Sequence, residues 1–186
     1  LQSFLLVADD IMDESQTRRG HICWHRMPGI GLSAINDSFL LLLASQNEIA
    51  QSFKNHPNEK VAIEAFSDAV QKTTIGQLLD TATSKKVDDF SWQRYEQLVE
   101  YKTSHYSFVL PLRIGVLGGG MRDGLDDIVN IALRIGYLFQ CQDDWLDVYG
   151  KSSITGKIGS DIREGKCTWL SCKALQLMEK KGNKEL

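Results

Sequence analysis

An all-α fold, a helix bundle with its site between helices, is what the sequence predicts, and three observations carry that prediction. Apolar residues recur at helical spacing through most of the 186 residues. Only three prolines interrupt the chain, and no alternating apolar and polar run of strand length lies between turn signals. A hydrophobic content of 42% suffices for a real core, and no short repeat or linker divides the chain, so a single domain over 1–186 is expected.

The elements follow in order. Leu1 to Asp13 reads as the end of a helix, closed by the polar segment Glu14 to Gly20. A loop through Pro28, Gly29 and Gly31 leads to a very apolar helix, Ser33 to Phe53. Pro57 marks the start of a third helix that runs to about Thr83. Ser91 is placed to cap a helix carrying Tyr95, Leu98, Val99 and Lys102, strained or broken around Pro111. Asp123 to Tyr149 has the clearest pattern, with Leu125, Ile128, Val129, Ala132, Ile135 and Phe139 as its core stripe. A Gly/Ser/Lys loop from Gly150 to Lys166 precedes a last helix from about Thr168.

Composition excludes some functions. A net charge of −3 offers no broad basic face for nucleic acid. The longest apolar run, Phe39 to Ala44, is far shorter than a membrane span. Cys23, Cys141, Cys167 and Cys172 form no CxxC pair and read as buried free thiols in a reducing compartment, so the cytoplasm is expected. The chain opens inside an apolar pattern without an initiator Met or a signal peptide. It is therefore expected to be a piece of a longer one, which leaves an organellar address open.

The chemistry lies in a repeated acidic pattern. DDIMD at 9–13 recurs as DDWLD at 143–147, where chance gives roughly 0.1 such matches for this Asp content. Helical spacing stacks Asp9 on Asp13 and Asp143 on Asp147, and both pairs continue apolar stripes. Carboxylates aimed inward require a cation. All the ligands are oxygen, with no His or Cys at matching spacing, so a hard ion such as Mg²⁺ is expected and zinc is not. His21 and His25 lack an acidic third ligand and read as surface residues. Around the acids stand Arg18, Arg19, Lys102, Lys157 and Lys166, cations suited to a diphosphate. Metals that neutralise a departing diphosphate inside an apolar cavity point to ionisation of an allylic diphosphate.

At this point the sequence resembles the trans-prenyltransferases, the polyprenyl synthase family, and within it the eukaryotic farnesyl diphosphate synthases. The motifs are LQSFLLVADDIMD with TRRG, CWHRMPGIGLSAINDSFLL, TIGQLLD, YKTSHYSFVLPL, FQCQDDWLD and TGKIGSDIREGKCTWL, in that order. The resemblance implies an isoprenoid-synthase-type antiparallel helix bundle with a central apolar cavity, usually a homodimer. It implies condensation of isopentenyl diphosphate with dimethylallyl or geranyl diphosphate to make farnesyl diphosphate, with three Mg²⁺ per active site. Asp9, Asp13 and Asp143 would bind metal, with Asp10, Asp144 and Asp147 behind them or holding waters. Arg18, Lys102 and Lys157 would grip the allylic diphosphate, with Lys166 nearby. Arg19 and Gln2 match the isopentenyl diphosphate site, and Gln77 and Asp80 further substrate-binding positions. Thr103 and Gln140 would steady a cationic intermediate, while pyrophosphate itself would take the final proton.

Two departures from the family pattern stand out. The segments that complete the isopentenyl site and close the cavity are missing at both ends, so the chain as written is expected not to complete the reaction. Phe4-Leu5 stands where many animal members carry two aromatics at the floor that limits product length. Farnesyl remains the expected product, with a geranyl diphosphate synthase as an alternative. A class I terpene synthase would need an N-D-x-x-S-x-x-x-E motif, and Asn36-Asp37 is followed by Leu40 and Ala44 instead. An inactive regulatory paralogue would tend to lose an acidic motif or a lysine, and all are present here.

Overall fold

The computed structural model of the chain describes residues 1–151, 159–180 and 182. Helices dominate: α1 (Gln2–Met12), α2 (Ala34–Ser52), α3 (Glu59–Thr83), α4 (Trp92–Leu98), a π-helical segment (Val99–Val109), α5 (Leu110–Gly118), α6 (Leu125–Tyr149), α7 (Asp161–Glu164) and α8 (Trp169–Lys180). The all-α expectation holds. Among the described residues no helix is long and apolar enough to cross a membrane.

The π segment is the axis, because α3 packs on one side of it and α6 on the other. The approach rests on two missing side chains. A Cβ on Gly76 of α3 would lie 2.2 Å from the Lys102 backbone nitrogen, and one on Gly136 of α6 would lie 2.1 Å from Ser104 Oγ. The inward row of α3 is correspondingly small and polar: Ala62, Ala65, Ala69, Thr73, Gly76, Asp80 and Thr83, with Phe66 as its one large member. Apolar cores sit at both ends of this arrangement. Tyr95, Leu98, Val99, Cys167 and Cys172 form one, and Ala65, Phe66, Ala69 and Leu110 another. Ser91 caps α4 as expected, its Oγ accepting from the Arg94 amide at 3.1 Å.

Three expectations need correction, and one gains detail. The helix is not broken at Pro111. The wider turns of residues 99–109 shift the hydrogen-bond register first, and Pro111 then falls in the first turn of α5, where no amide hydrogen is required. The polar segment after α1 closes that helix as expected, and it adds a hairpin. Thr17–Arg18 pairs with His21–Ile22 in a minimal hairpin, turned at Arg19 and Gly20, both with positive φ as a tight two-residue turn demands. The core stripe of α6 is Ala132, Gly136 and Asp144, whereas Ile135 and Phe139 are exposed, Phe139 to a cavity. The loop between Gly150 and Lys166 contains the single turn α7.

Candidate active site

Both acidic motifs end a helix. Asp9, Asp10 and Asp13 close α1, and Asp143, Asp144 and Asp147 lie in the last turns of α6, with no basic residue in either last turn. Helix C-termini carry partial negative charge, so these are the least favourable places for bare carboxylates. The cations that offset them come from elsewhere in the fold.

Asp80, buried on α3, is the hub. Its Oδ2 accepts from Lys102 Nζ at 2.6 Å and from Lys166 Nζ at 2.9 Å. Lys102 Nζ also lies 3.1 Å from Asp9 Oδ1, and Lys166 Nζ lies 2.8 Å from Asp13 Oδ1. One acid thus ties two lysines, and each lysine reaches back to the first motif. Burial alone would raise the Asp9 and Asp80 carboxyls. Burial is the largest single influence, but Lys102 with Arg18 and Lys166 at Asp9, and Lys102 with Lys166 at Asp80, together outweigh it and hold both below the usual carboxylate range. At Asp13 burial wins, reinforced by the neighbouring Asp9 charge, and its carboxyl is pushed up. Burial opposes the Lys102 charge as well, but Asp9 and Asp80 hold its ammonium well above its ordinary value.

The middle aspartates face inward and act as struts. Asp10 accepts from Arg18 Nε at 3.0 Å and from Nη2 at 2.5 Å, and the same Nη2 reaches Asp9 at 3.1 Å. The hairpin therefore serves to aim Arg18 at α1. Asp144, 2% exposed, accepts from Gln140 Nε2 at 2.9 Å and from the Trp169 amide at 2.8 Å, which pins the start of α8 to α6. Thr103 Oγ1 donates to Gln140 Oε1 at 2.7 Å, so its lone pairs are left for the cavity. Asp147 Oδ2 accepts from the Ser160 and Asp161 amides at 3.0 and 2.9 Å.

All of this surrounds one cavity of about 980 Å³. Its walls include Asp9, Asp13, Asp80, Asp143, Asp144, Asp147, Lys102, Lys166, Arg18, Arg19, Gln2, Gln77, Thr103, Gln140, Phe4 and Leu5. Every described residue singled out from sequence is there except Asp10, which lies behind Arg18. Lys157 lies outside the described residues. Sequence reasoning missed the extent of Asp80's role and did not include Tyr95, Thr73 and Phe139, which also line the cavity. The signal for Asp80 was present: it continues the small-residue row of α3 through Thr73 and Gly76.

Among the described residues no three His, Cys, Asp or Glu side chains stand close enough to hold a metal alone. The set nevertheless fits Mg²⁺, which takes few carboxylates and fills its sphere with water and phosphate oxygens. Asp9 Oδ1 is buried and meets Lys102 Nζ at 3.1 Å without a well-aligned hydrogen bond, so it keeps lone-pair capacity that suits such an ion.

A helix bundle with two acidic motifs and a lysine pair on one cavity defines a class, and the chain belongs to the polyprenyl synthetase family, which it matches over residues 1–186. More particularly, it is 46% identical over 183 residues to the farnesyl pyrophosphate synthase of Homo sapiens, covering 95% of this chain and 43% of that one. It is 43% identical over 181 residues to that of Gallus gallus, covering 94% and 49%. A solved farnesyl diphosphate synthase of T. brucei, complexed with a bisphosphonate, superposes with a TM-score of 0.88 at 31% identity, over 94% of this chain and 54% of that one. The chain spans about half the length of the curated relatives it matches.

Proposed function

We propose that the protein is an Mg²⁺-dependent prenyltransferase that condenses isopentenyl diphosphate with dimethylallyl and geranyl diphosphate to make farnesyl diphosphate, releasing pyrophosphate. The observation that carries this reading is the convergence of both acidic motifs and the Asp80–Lys102–Lys166 cluster on one cavity with an apolar side. Asp9, Asp13 and Asp143 would hold Mg²⁺, with Asp147 behind them, and the bound ions would draw charge from the departing diphosphate. Lys102 and Lys166 remain charged at any physiological pH and supply donors to the same oxygens. Arg18 keeps Asp9 and Asp10 in place and turns its free edge to the allylic diphosphate. Thr103 and Gln140 present oxygen lone pairs to positive charge on the allyl group, and Phe4, Leu5 and Phe139 exclude water from it.

The described chain supplies the allylic half of the site, and Gln2 and Arg19 at the rim contribute to the isopentenyl half. The exposed apolar row Ile35, Phe39 and Leu43 on α2 supports burial of that face in a homodimer. Product length is set by Phe4 and Leu5, one to one and a half turns before Asp9 on α1.

The test is product analysis with isopentenyl and each allylic diphosphate, on the chain itself and on the human relative with its matching segment replaced by this chain. The replacement is expected to yield farnesyl diphosphate, and Leu5→Phe in it to shorten or narrow the product range. A folded replacement that makes cyclised hydrocarbon, or no condensation product, contradicts the reading.

A further inference from the structure

The N-terminus of α8 carries a feature that the proposed chemistry does not use. Thr168 and Ser171 form a reciprocal capping box: the Ser171 amide donates to Thr168 Oγ1 at 3.1 Å, and the Thr168 amide donates to Ser171 Oγ at 2.8 Å. With Thr168 as the N-cap, Cys167 is the residue before the cap and Cys172 the fourth of the helix, its amide bonded to the Thr168 carbonyl at 3.0 Å. Those two positions are where a hydrophobic staple brings side chains together across the first turn. Here both are thiols, buried and free, with their sulfurs 3.7 Å apart. A staple of Leu or Ile would pack as well but could not change state.

We infer that Cys167 and Cys172 are a redox-convertible pair, a staple that a hydroperoxide closes into an intramolecular disulfide. One sulfur attacks the peroxide, the O–O bond breaks, an alcohol or water leaves, and a sulfenic acid remains. The second sulfur attacks that sulfenic sulfur, the S–S bond forms, the S–O bond breaks and water leaves, so two thiols and one hydroperoxide balance the change. Cys167 borders the 980 Å³ cavity, which gives the oxidant a path to a pair otherwise walled by Tyr95, Leu98 and Val99. Hydrogen bonding between the sulfurs holds the Cys172 thiol below its usual range, while the same bond and burial push the Cys167 thiol up, so Cys172 is the more acidic of the two.

Closure moves something that matters. The sulfurs must approach from 3.7 Å to about 2.05 Å. Cys172 is fixed in the helix, so the non-helical residues 166–168 take up the shift. The first of them is Lys166, whose ammonium links Asp13 to Asp80. Oxidation therefore loosens the lysine cluster. This consequence rests on the reading of the cavity as a diphosphate site; the disulfide itself does not.

Trypsin provides a direct test, because cleavage after Lys166 and Lys173 isolates both sulfurs in the single peptide 167–173. After graded hydrogen peroxide, alkylation under denaturing conditions and digestion, that peptide is expected two hydrogens lighter and unalkylated, and dithiothreitol is expected to restore both thiols. Recovery of the peptide doubly alkylated, or oxidised to a sulfinic acid without a crosslink, overturns the inference. Cys172→Ser, checked for an unchanged melting temperature, should abolish the light peptide, and persistence of that species also overturns it. For the consequence, Mg²⁺ pyrophosphate is titrated by calorimetry into reduced and oxidised protein. A reversible loss of affinity of about tenfold is expected, the scale of one charge-assisted contact. Equal affinities with the disulfide formed overturn the link to Lys166. Absence of pyrophosphate binding by the reduced protein contradicts the diphosphate site and leaves the disulfide standing.

Discussion

At Asp80 a buried carboxylate is offset twice over, by Lys102 and by Lys166, and removing its charge leaves two lysines facing one another. Asp80→Asn is expected to lower stability by about 1–3 kcal/mol, discounted for the open cavity beside the lysines. Urea denaturation checks it, and an unchanged midpoint contradicts the hub. His105, on the same π segment, is buried with neither ring nitrogen hydrogen-bonded, and its Nε2 lies 3.7 Å from Glu100. Burial first, then the nearby Lys72, lowers its pKa below the ordinary 6.5. The unfolded chain therefore binds a proton near pH 6.5 that the folded chain refuses. Stability contributed at this position is complete above pH 6.5 and falls as pH drops below it, until the lowered folded value is reached. Melting temperatures from pH 7.5 to 5 should show that decline, and His105→Gln should flatten it. The charges at these residues were readable from sequence, but their partners were not. Nothing in TIGQLLD says that Asp80 meets lysines 22 and 86 positions away.

At the level of elements, the π segment does what a regular helix could not. It carries Lys102, Thr103 and Ser104 between α3 and α6, and it absorbs the register change ahead of Pro111. The closeness of α3 depends on Gly76. In an isolated helix Gly76→Ala would gain about 1 kcal/mol. Here the new Cβ would lie within 2.5 Å of three backbone atoms of Tyr101 and Lys102, which cannot rotate away. The clash wins, and a net loss of about 1–3 kcal/mol is expected. A melting temperature equal to or above that of the parent would contradict the packing. Helix positions were legible because apolar spacing and the Ser91 cap are local. The π register was not, because DDxxD-type patterns and apolar stripes do not distinguish a wide turn from an α-helical one. Nor was the exposure of Ile135 and Phe139, since periodicity marks an apolar face without saying whether protein or cavity meets it.

Over the whole molecule, two helix ends turn their negative poles and their carboxylates to one cavity, an arrangement that favours a bound cation and is the reason for expecting a metal. Sequence alone paired the two motifs and marked Arg18, Arg19, Lys102 and Lys166 beside them by type and spacing. The family resemblance added Gln2, Gln77, Asp80, Thr103 and Gln140, and the rest of the polar lining, such as Thr73, Tyr95 and Tyr106, carried no such signal. The most direct test of the central claim, that both acidic motifs act as one metal-dependent diphosphate site, is the melting temperature in Mg²⁺, in pyrophosphate and in both together. A clear rise with both is predicted, equivalent to about 2.7 kcal/mol at a hundredfold excess over the dissociation constant. Little change is predicted with either alone, and the rise should be lost in Asp143→Ala. An equal rise with pyrophosphate alone, or one that survives Asp143→Ala, would contradict the account.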